Sequence, residues 1–198
     1  MPNDFLIGTG IYDLTGPAAE LGMMGMASIE QKTEGIHSRL FARAFIVCDQ
    51  SSNKRVLILS ADIWSCTQAV KMEVVKRLKA IFGNNLYTID NVLLSGTHTH
   101  SGPGGYSHYG LFNLSILGFD KQSFECIVSG MVQAIKRAHE NLSPGKLFIN
   151  KGDVEGCGNN RSPIAYEQNP ASEKAKYGGN TDKEMLLIKF VKNDGKEI

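Results

Sequence analysis

The sequence predicts an α/β fold, a mixed β-sheet flanked by helices, forming an incomplete part of a larger domain. Three observations lead there. Short apolar runs bounded by polar turn residues recur at 40–49, 54–62 and 90–97, which are strand lengths. Two longer segments, 67–83 and 120–142, carry apolar residues at helical spacing. The run at 184–191 opens into Lys192-Asn193-Asp194-Gly195, a turn signal that asks for a hairpin partner.

Taken in order, the first stretch to about residue 38 is rich in glycine and small residues and reads as an irregular or extended lead-in. "LFARAFIVCD" alternates and then runs apolar, as a strand does. "KRVLILSAD" is an apolar run between "SSN" and Asp62 and reads as a buried strand. In 67–83, Val70, Val74, Leu78 and Ile81 share one helical face, and Gly83 stands where a helix-ending glycine belongs. "DNVLLSGT" reads as the next buried strand. The 120–142 segment sets Cys126, Ile127, Met131, Ala134, Ile135 and Ala138 at helical spacing, with Pro144-Gly145 after it. "KLFINKGDV" and "EMLLIKFV" complete a strand–strand–helix–strand–helix–strand–strand order.

Composition narrows the function classes. The chain has 198 residues, 42% of them hydrophobic, enough for one sizeable core. Net charge is +1, from 21 basic and 20 acidic residues, which argues against a nucleic-acid partner. No run approaches the ~18–20 apolar residues of a membrane span. The N-terminus has no basic leader and its apolar stretch breaks at Gly8 and Gly10, so it is not a signal peptide. The expectation is a cytosolic protein or a true start lying upstream. Cys48, Cys66, Cys126 and Cys157 lie far apart with no C-x-x-C pair; the first three read as core thiols and Cys157 as a loop residue. N-x-[ST] triplets fall at Asn113, Asn141 and Asn160 and matter only in a secreted protein.

The chemistry concentrates in "LLSGTHTHSGPGGY". Two of the chain's five histidines, His98 and His100, follow an apolar strand and precede a glycine-rich turn. In extended backbone, residues two apart point to one side, so both imidazoles can face one pocket. Neutral imidazole suits zinc, and two polar loop histidines is the plainer alternative. The H-x-H-x-D-H pattern is not met, because Ser101-Gly102 follow, and G-x-S-x-G is not met either. Asp62, ending its own strand, is placed to orient a histidine from behind, to cap the next helix or to make local hydrogen bonds. Arg161, in the polar loop "NNRSPIAYEQNP", reads alone as a solvated charge. Tyr106, His108 and Tyr109 line a pocket entrance or pack on the surface. His139 reads as a charge at a helix C-terminus, not a ligand.

"SGTHTHSGPGGY", "NRSPIAYEQNP", "NTDKEM" and "GTGIYDLTGP…LGMMGMA" together resemble neutral ceramidases. "GIHSRLFARAFIV" and "PGKLFINKGDV" fit the same pattern, so the resemblance covers essentially the whole chain. It implies a zinc-dependent amidase that cleaves the N-acyl bond of ceramide to sphingosine and a fatty acid. It implies His98 as a zinc ligand, His100 as the histidine that moves a proton near the amide, and Arg161 as a substrate or oxyanion contact. Tyr106 is the further substrate-binding candidate and Asp62 the supporting carboxylate. The family is secreted or membrane-associated, so contact with a membrane surface is expected.

The family's remaining zinc ligands are a second histidine, a glutamate and a tyrosine that lie further along its chains, and this sequence has no histidine after His139. Catalytic zinc normally takes three protein ligands. Residues 1–198 are therefore expected to be the N-terminal part of the catalytic domain, inactive alone, with one Zn2+ site completed by residues beyond Ile198. Two other readings stand beside this: a natural short, non-catalytic lipid-binding or interaction module, and a self-contained metal-dependent hydrolase using His98, His100 and Asp62.

Overall fold

The computed structural model describes residues 5–26 and 28–195. Its elements are β1 (Phe5–Asp13), β2 (Phe41–Asp49), β3 (Arg55–Ala61), α1 (Gln68–Phe82), β4 (Val92–Gly96), a 3₁₀ turn (Leu111–Asn113), α2 (Lys121–Glu140), β5 (Ser143–Asp153), α3 (Pro163–Glu167), α4 (Ala171–Lys174) and β6 (Glu184–Lys192). The strands form one sheet in the order β4-β3-β2-β1-β5-β6. It is mixed: β3 and β4 pair in parallel and every other neighbouring pair is antiparallel.

Alternation sets the two central faces. Ala42, Ala44, Ile46 and Cys48 of β2 and Leu57, Leu59 and Ala61 of β3 point into the core, where α1 and α2 cover them. The opposite face carries Ile11, Val56, Ile58 and Leu93, all exposed. The helices thus lie on one face of the sheet. Thr67 caps α1 by accepting from the Val70 N–H, and Gly83 ends it with φ 87°. Val70, Val74 and Leu78 are buried as their spacing requires, but Ile81 is exposed, and Val75 takes the remaining inward position. Arg77 of α1 holds Glu125 of α2 with two hydrogen bonds, at 2.8 and 2.9 Å, and so fixes one helix against the other.

The lead-in is where the sequence expectation departs furthest from the structure. Residues 5–13 are a full strand near the centre of the sheet, paired with β2 along its whole length. Its glycines are a contact surface for α2. A Cβ on Gly8 would stand 2.1 Å from the Ala138 carbonyl oxygen, and one on Gly10 would stand 2.2 Å from that of Ala134. Only glycine lets the helix backbone approach so closely. Segments 14–26 and 28–40 are irregular, as expected. The expected 90–97 strand is shorter, and as an edge strand β4 leaves Leu93 exposed instead of buried.

Pro144-Gly145, read as a post-helix break, is the start of β5. β5 touches β1 only over Ser143–Gly145 and then runs on with β6 as a two-stranded ribbon. The ribbon ends in a turn closed by the Gly195 N–H donating to the Lys192 carbonyl, 2.9 Å. The expected hairpin partner falls on 196–198, outside the described residues. No helix among the described residues is long and apolar enough to cross a membrane.

Candidate active site

The end of β4 is pinned to the chain leaving β3. The Thr97 N–H donates to the Ala61 carbonyl at 2.9 Å, and the His98 N–H to that of Ile63 at 3.1 Å. His98 then takes a left-handed conformation, φ 66°. The two histidines do come together, with ring centroids 4.9 Å apart at 75°. They do so through this turn and not through the strand alternation the sequence suggested, because β4 has already ended at Gly96.

His98 Nδ1 lies 2.9 Å from the Trp64 carbonyl oxygen. A carbonyl oxygen only accepts, so Nδ1 carries the proton and the neutral ring keeps its lone pair on Nε2. A backbone carbonyl on one ring nitrogen and a free lone pair on the other is the usual arrangement of a metal-ligating histidine. Trp64 also packs against the His98 ring at 5.5 Å and meets Phe112 edge-on at 5.4 Å.

His100 faces a different support. The 20–26 segment lies along the glycine-rich turn, with Gly104 N–H donating to the Gly22 carbonyl at 2.9 Å and a bridge between Met23 and Pro103. Gly25, φ 84°, sits directly on the catalytic-candidate rings. A Cβ there would stand 2.6 Å from His100 Cε1 and Nδ1 and 2.8 Å from Trp64 Nε1. Gly25 and Trp64 were not singled out from sequence; the paired glycines in "LGMMGM" were the available signal.

Asp62 neither orients a histidine nor caps α1, whose cap is Thr67. Its carboxylate accepts from Arg43 at 3.0 Å and from the Phe41 N–H at 3.0 Å. Burial opposes its ionisation, but Arg43, the Phe41 amide and the Thr97 hydroxyl outweigh burial and hold it below the usual carboxylate range. It supports the site through Thr97, the neighbour of His98. The self-contained site of His98, His100 and Asp62 is not assembled. Among the described residues no group of three or more His, Cys, Asp or Glu side chains is placed to hold a metal ion.

Tyr106 is not at a pocket entrance. Its ring is 1% exposed, its hydroxyl accepts from the Ser65 N–H at 3.3 Å, and burial pushes the phenol up to about 12. It anchors the turn from inside. His108 packs on Phe119 and Phe124, and Tyr109 on Phe112. His139 is no terminal charge. Its Nδ1 meets the Tyr87 hydroxyl at 2.8 Å and its ring lies 4.4 Å from Phe82, and burial, then Arg55, lowers its pKa.

Arg161 is exposed in the loop between β5 and α3 and makes no hydrogen bond or ion pair among the described residues. No contact brings it to either histidine. Cys48 is buried and Cys157 exposed, while Cys66 sits half-buried in the loop before α1, not on an element. The amide nitrogens of Asn113, Asn141 and Asn160 all donate to backbone carbonyls, of Ser107, Thr9 and Asn180.

Comparison with known proteins follows the same residues. The family model described as "Neutral/alkaline non-lysosomal ceramidase, N-terminal" matches residues 5–198. A neutral ceramidase of Oryza sativa subsp. japonica is 52% identical over 190 residues, covering 96% of this chain and 24% of its own. That of Pseudomonas aeruginosa is 44% identical over 191 residues, covering 96% of this chain and 28% of its own. The crystal structure of neutral ceramidase from Pseudomonas aeruginosa superposes with a TM-score of 0.92 at 43% identity, covering 100% of this chain and 31% of that one. A ceramidase complexed with C2 gives 0.91, covering 98% and 30%. The chain thus spans about a quarter of the length of the curated relatives it matches.

Proposed function

Because this chain belongs to the neutral/alkaline non-lysosomal ceramidase family, we propose that it is the N-terminal part of a zinc-dependent catalytic domain that hydrolyses the N-acyl bond of ceramide. The observation that carries the reading is the His98 ring: one nitrogen committed to the Trp64 carbonyl, the other free, 4.9 Å from His100 between ring centroids. This donor set fits one zinc ligand. The remaining ligands come from polypeptide outside these residues.

Zinc, when bound, supplies Lewis-acid polarisation of the amide carbonyl and acidifies water to a pKa of about 7. The chain's own residues supply the rest. The Trp64 carbonyl fixes the His98 tautomer and ring orientation. Asp62 and Thr97 hold the backbone that carries it. His100, held against Gly25, would take a proton from the water whose oxygen adds to the amide carbon and pass it to the amide nitrogen as the C–N bond breaks, so the amine leaves neutral and the acid keeps the water oxygen. Arg161 offers positive charge to the oxygen on which negative charge develops, once the longer polypeptide brings it to the site. Products are sphingosine and a fatty acid.

The test is turnover of a short-chain ceramide by the chain alone and by a longer polypeptide that includes it, with sphingosine release as readout. The reading predicts release only by the longer polypeptide. Robust turnover by the chain alone, or none by either, contradicts it.

A further inference from the structure

The Trp64 carbonyl that holds His98 is one end of a peptide unit, and the other end is also held. The N–H of that unit belongs to Ser65 and donates to the Tyr106 hydroxyl at 3.3 Å. A trans peptide is planar and points its C=O and N–H in opposite directions, and no cis peptide bond occurs among the described residues. His98 and Tyr106 therefore hold one rigid plane from opposite sides. His98 Nδ1 meets the carbonyl at 2.9 Å and the Tyr106 oxygen meets the N–H. Rotating the plane would break both bonds at once.

The chain between the two side chains is what brings them there. Tyr106 follows His98 across "THSGPGG". The last of those glycines, Gly105, has φ 78° and its carbonyl accepts from the Asp120 N–H at 2.7 Å. The residue before Tyr106 is thus tied to the cap of α2. The Tyr106 ring then enters the core cluster and is 1% exposed, which gives its hydroxyl a fixed place. The peptide plane is also backed by β4: a Cβ on Gly96 would stand 3.1 Å from Ser65 Cα and 2.7 Å from the Ile63 carbonyl oxygen. Hydrogen bonds in series polarise one another. Donation from the Ser65 N–H to Tyr106 makes the Trp64 carbonyl a better acceptor, and a better acceptor on Nδ1–H raises the basicity of the ligating nitrogen.

Resting on the reading of His98 as a zinc ligand, we propose that Tyr106 is a positioning residue for that ligand: through the Trp64–Ser65 peptide, its hydroxyl fixes the tautomer and aim of the His98 ring. It touches neither substrate nor metal. The glycine-rich turn after the histidine pair thereby closes a loop, carrying the chain from His98 back to the peptide on which His98 rests.

The experiment takes the longer polypeptide, free of metal, isotope-labelled at the carbonyl carbon of tryptophan and the nitrogen of serine. Only a Trp–Ser peptide then carries both labels in one bond, and this chain holds one, Trp64–Ser65. Its nuclear magnetic resonance signal, identified by its loss in Ser65→Ala, reads both ends of the peptide plane. Tyr106→Phe keeps the ring and removes the hydroxyl. Tyr87→Phe is the control: Tyr87 is equally buried, but its hydroxyl meets His139 at 2.8 Å and its ring lies by Arg55, at the other end of β3 from Ala61. Tyr106→Phe is expected to shift the Ser65 amide proton and the Trp64 carbonyl carbon together. It is also expected to weaken zinc binding, read by chelator competition, about three- to tenfold, the effect of one neutral hydrogen bond. Tyr87→Phe is expected to leave the signal in place and zinc affinity within about twofold of the parent. A Tyr106→Phe protein whose Trp64 carbonyl carbon stays where it is in the parent, or whose zinc affinity matches that of Tyr87→Phe, overturns the proposal. If Tyr106→Phe does not fold, His98→Ala reads the coupling from the other side: the Ser65 amide proton must move with the Trp64 carbonyl carbon, and an unmoved proton overturns the proposal. A parent that binds no zinc contradicts the hydrolytic reading, while the metal-free signals still decide the role of Tyr106.

Discussion

Replacing Gly25 by alanine adds one methyl group at the point where two distant parts of the sequence meet. Two terms follow from the structure. The residue has φ 84°, and an alanine in that left-handed region costs about 1–2 kcal/mol. The new Cβ would also stand 2.6 Å from the His100 imidazole and 2.8 Å from Trp64 Nε1, so the ring must retreat by about 0.8 Å to reach ordinary contact. A misplacement approaching 1 Å lowers turnover on the order of 10²-fold. Gly83→Ala is the control. Gly83 has nearly the same φ, 87°, but a Cβ there meets nothing within 4 Å. Both variants should melt about 2–8 °C lower by circular dichroism. Only Gly25→Ala should shift the emission of Trp64, the chain's single tryptophan, and only it should depress short-chain ceramide turnover in the longer polypeptide. A Gly25→Ala variant that matches Gly83→Ala in both emission and turnover would refute the steric argument.

Other perturbations read the supporting structure. The Asp62 carboxyl titrates lower folded than unfolded, so its pairing stabilises fully above the ordinary value of 3.8 and is lost as pH falls through the folded value. Asp62→Asn should lose about 1 kcal/mol at neutral pH, discounted because Arg43 is partly exposed, and urea midpoints should then fall less steeply with acid. His139 has the same sign by a different cause: burial keeps its ring neutral, so stability is full above 6.5 and lost as pH falls below it. Urea midpoints measured at about pH 7.5 and 5.5 should differ less in His139→Gln than in the parent, and an unchanged difference would contradict this. Alkylation followed by mass spectrometry should find Cys157 first and leave Cys66 unmodified, since burial pushes the Cys66 thiol up to about 12.

The sequence made β2, β3, α1, α2 and β6 legible because each states its period clearly: alternation in Ala42–Cys48, helical spacing in Val70–Leu78. β1 was not legible, because Gly8 and Gly10 break the apolar pattern that would mark a strand. The reason for those glycines, the nearness of Ala134 and Ala138, is a tertiary fact. The histidine pair was legible as a pair, but the backbone that joins it was not. A single left-handed residue at His98 leaves no mark on the sequence. Tyr106 was misplaced for a related reason: a tyrosine after glycines reads as surface, yet here its hydroxyl accepts from the Ser65 N–H inside the core. Asp62 was seen as a supporting carboxylate, and its true partners, Arg43 and the Phe41 amide, lie one strand away in the sheet register.

The most direct test of the central claim is zinc content and ceramide turnover measured together, in the longer polypeptide carrying His98 and in its His98→Ala variant, with His37→Ala as the comparison. The account predicts about one zinc per chain in the parent and in His37→Ala, and in His98→Ala a loss of both zinc and turnover by a factor on the order of 10³. A His98→Ala protein that keeps its zinc and its turnover would contradict the account.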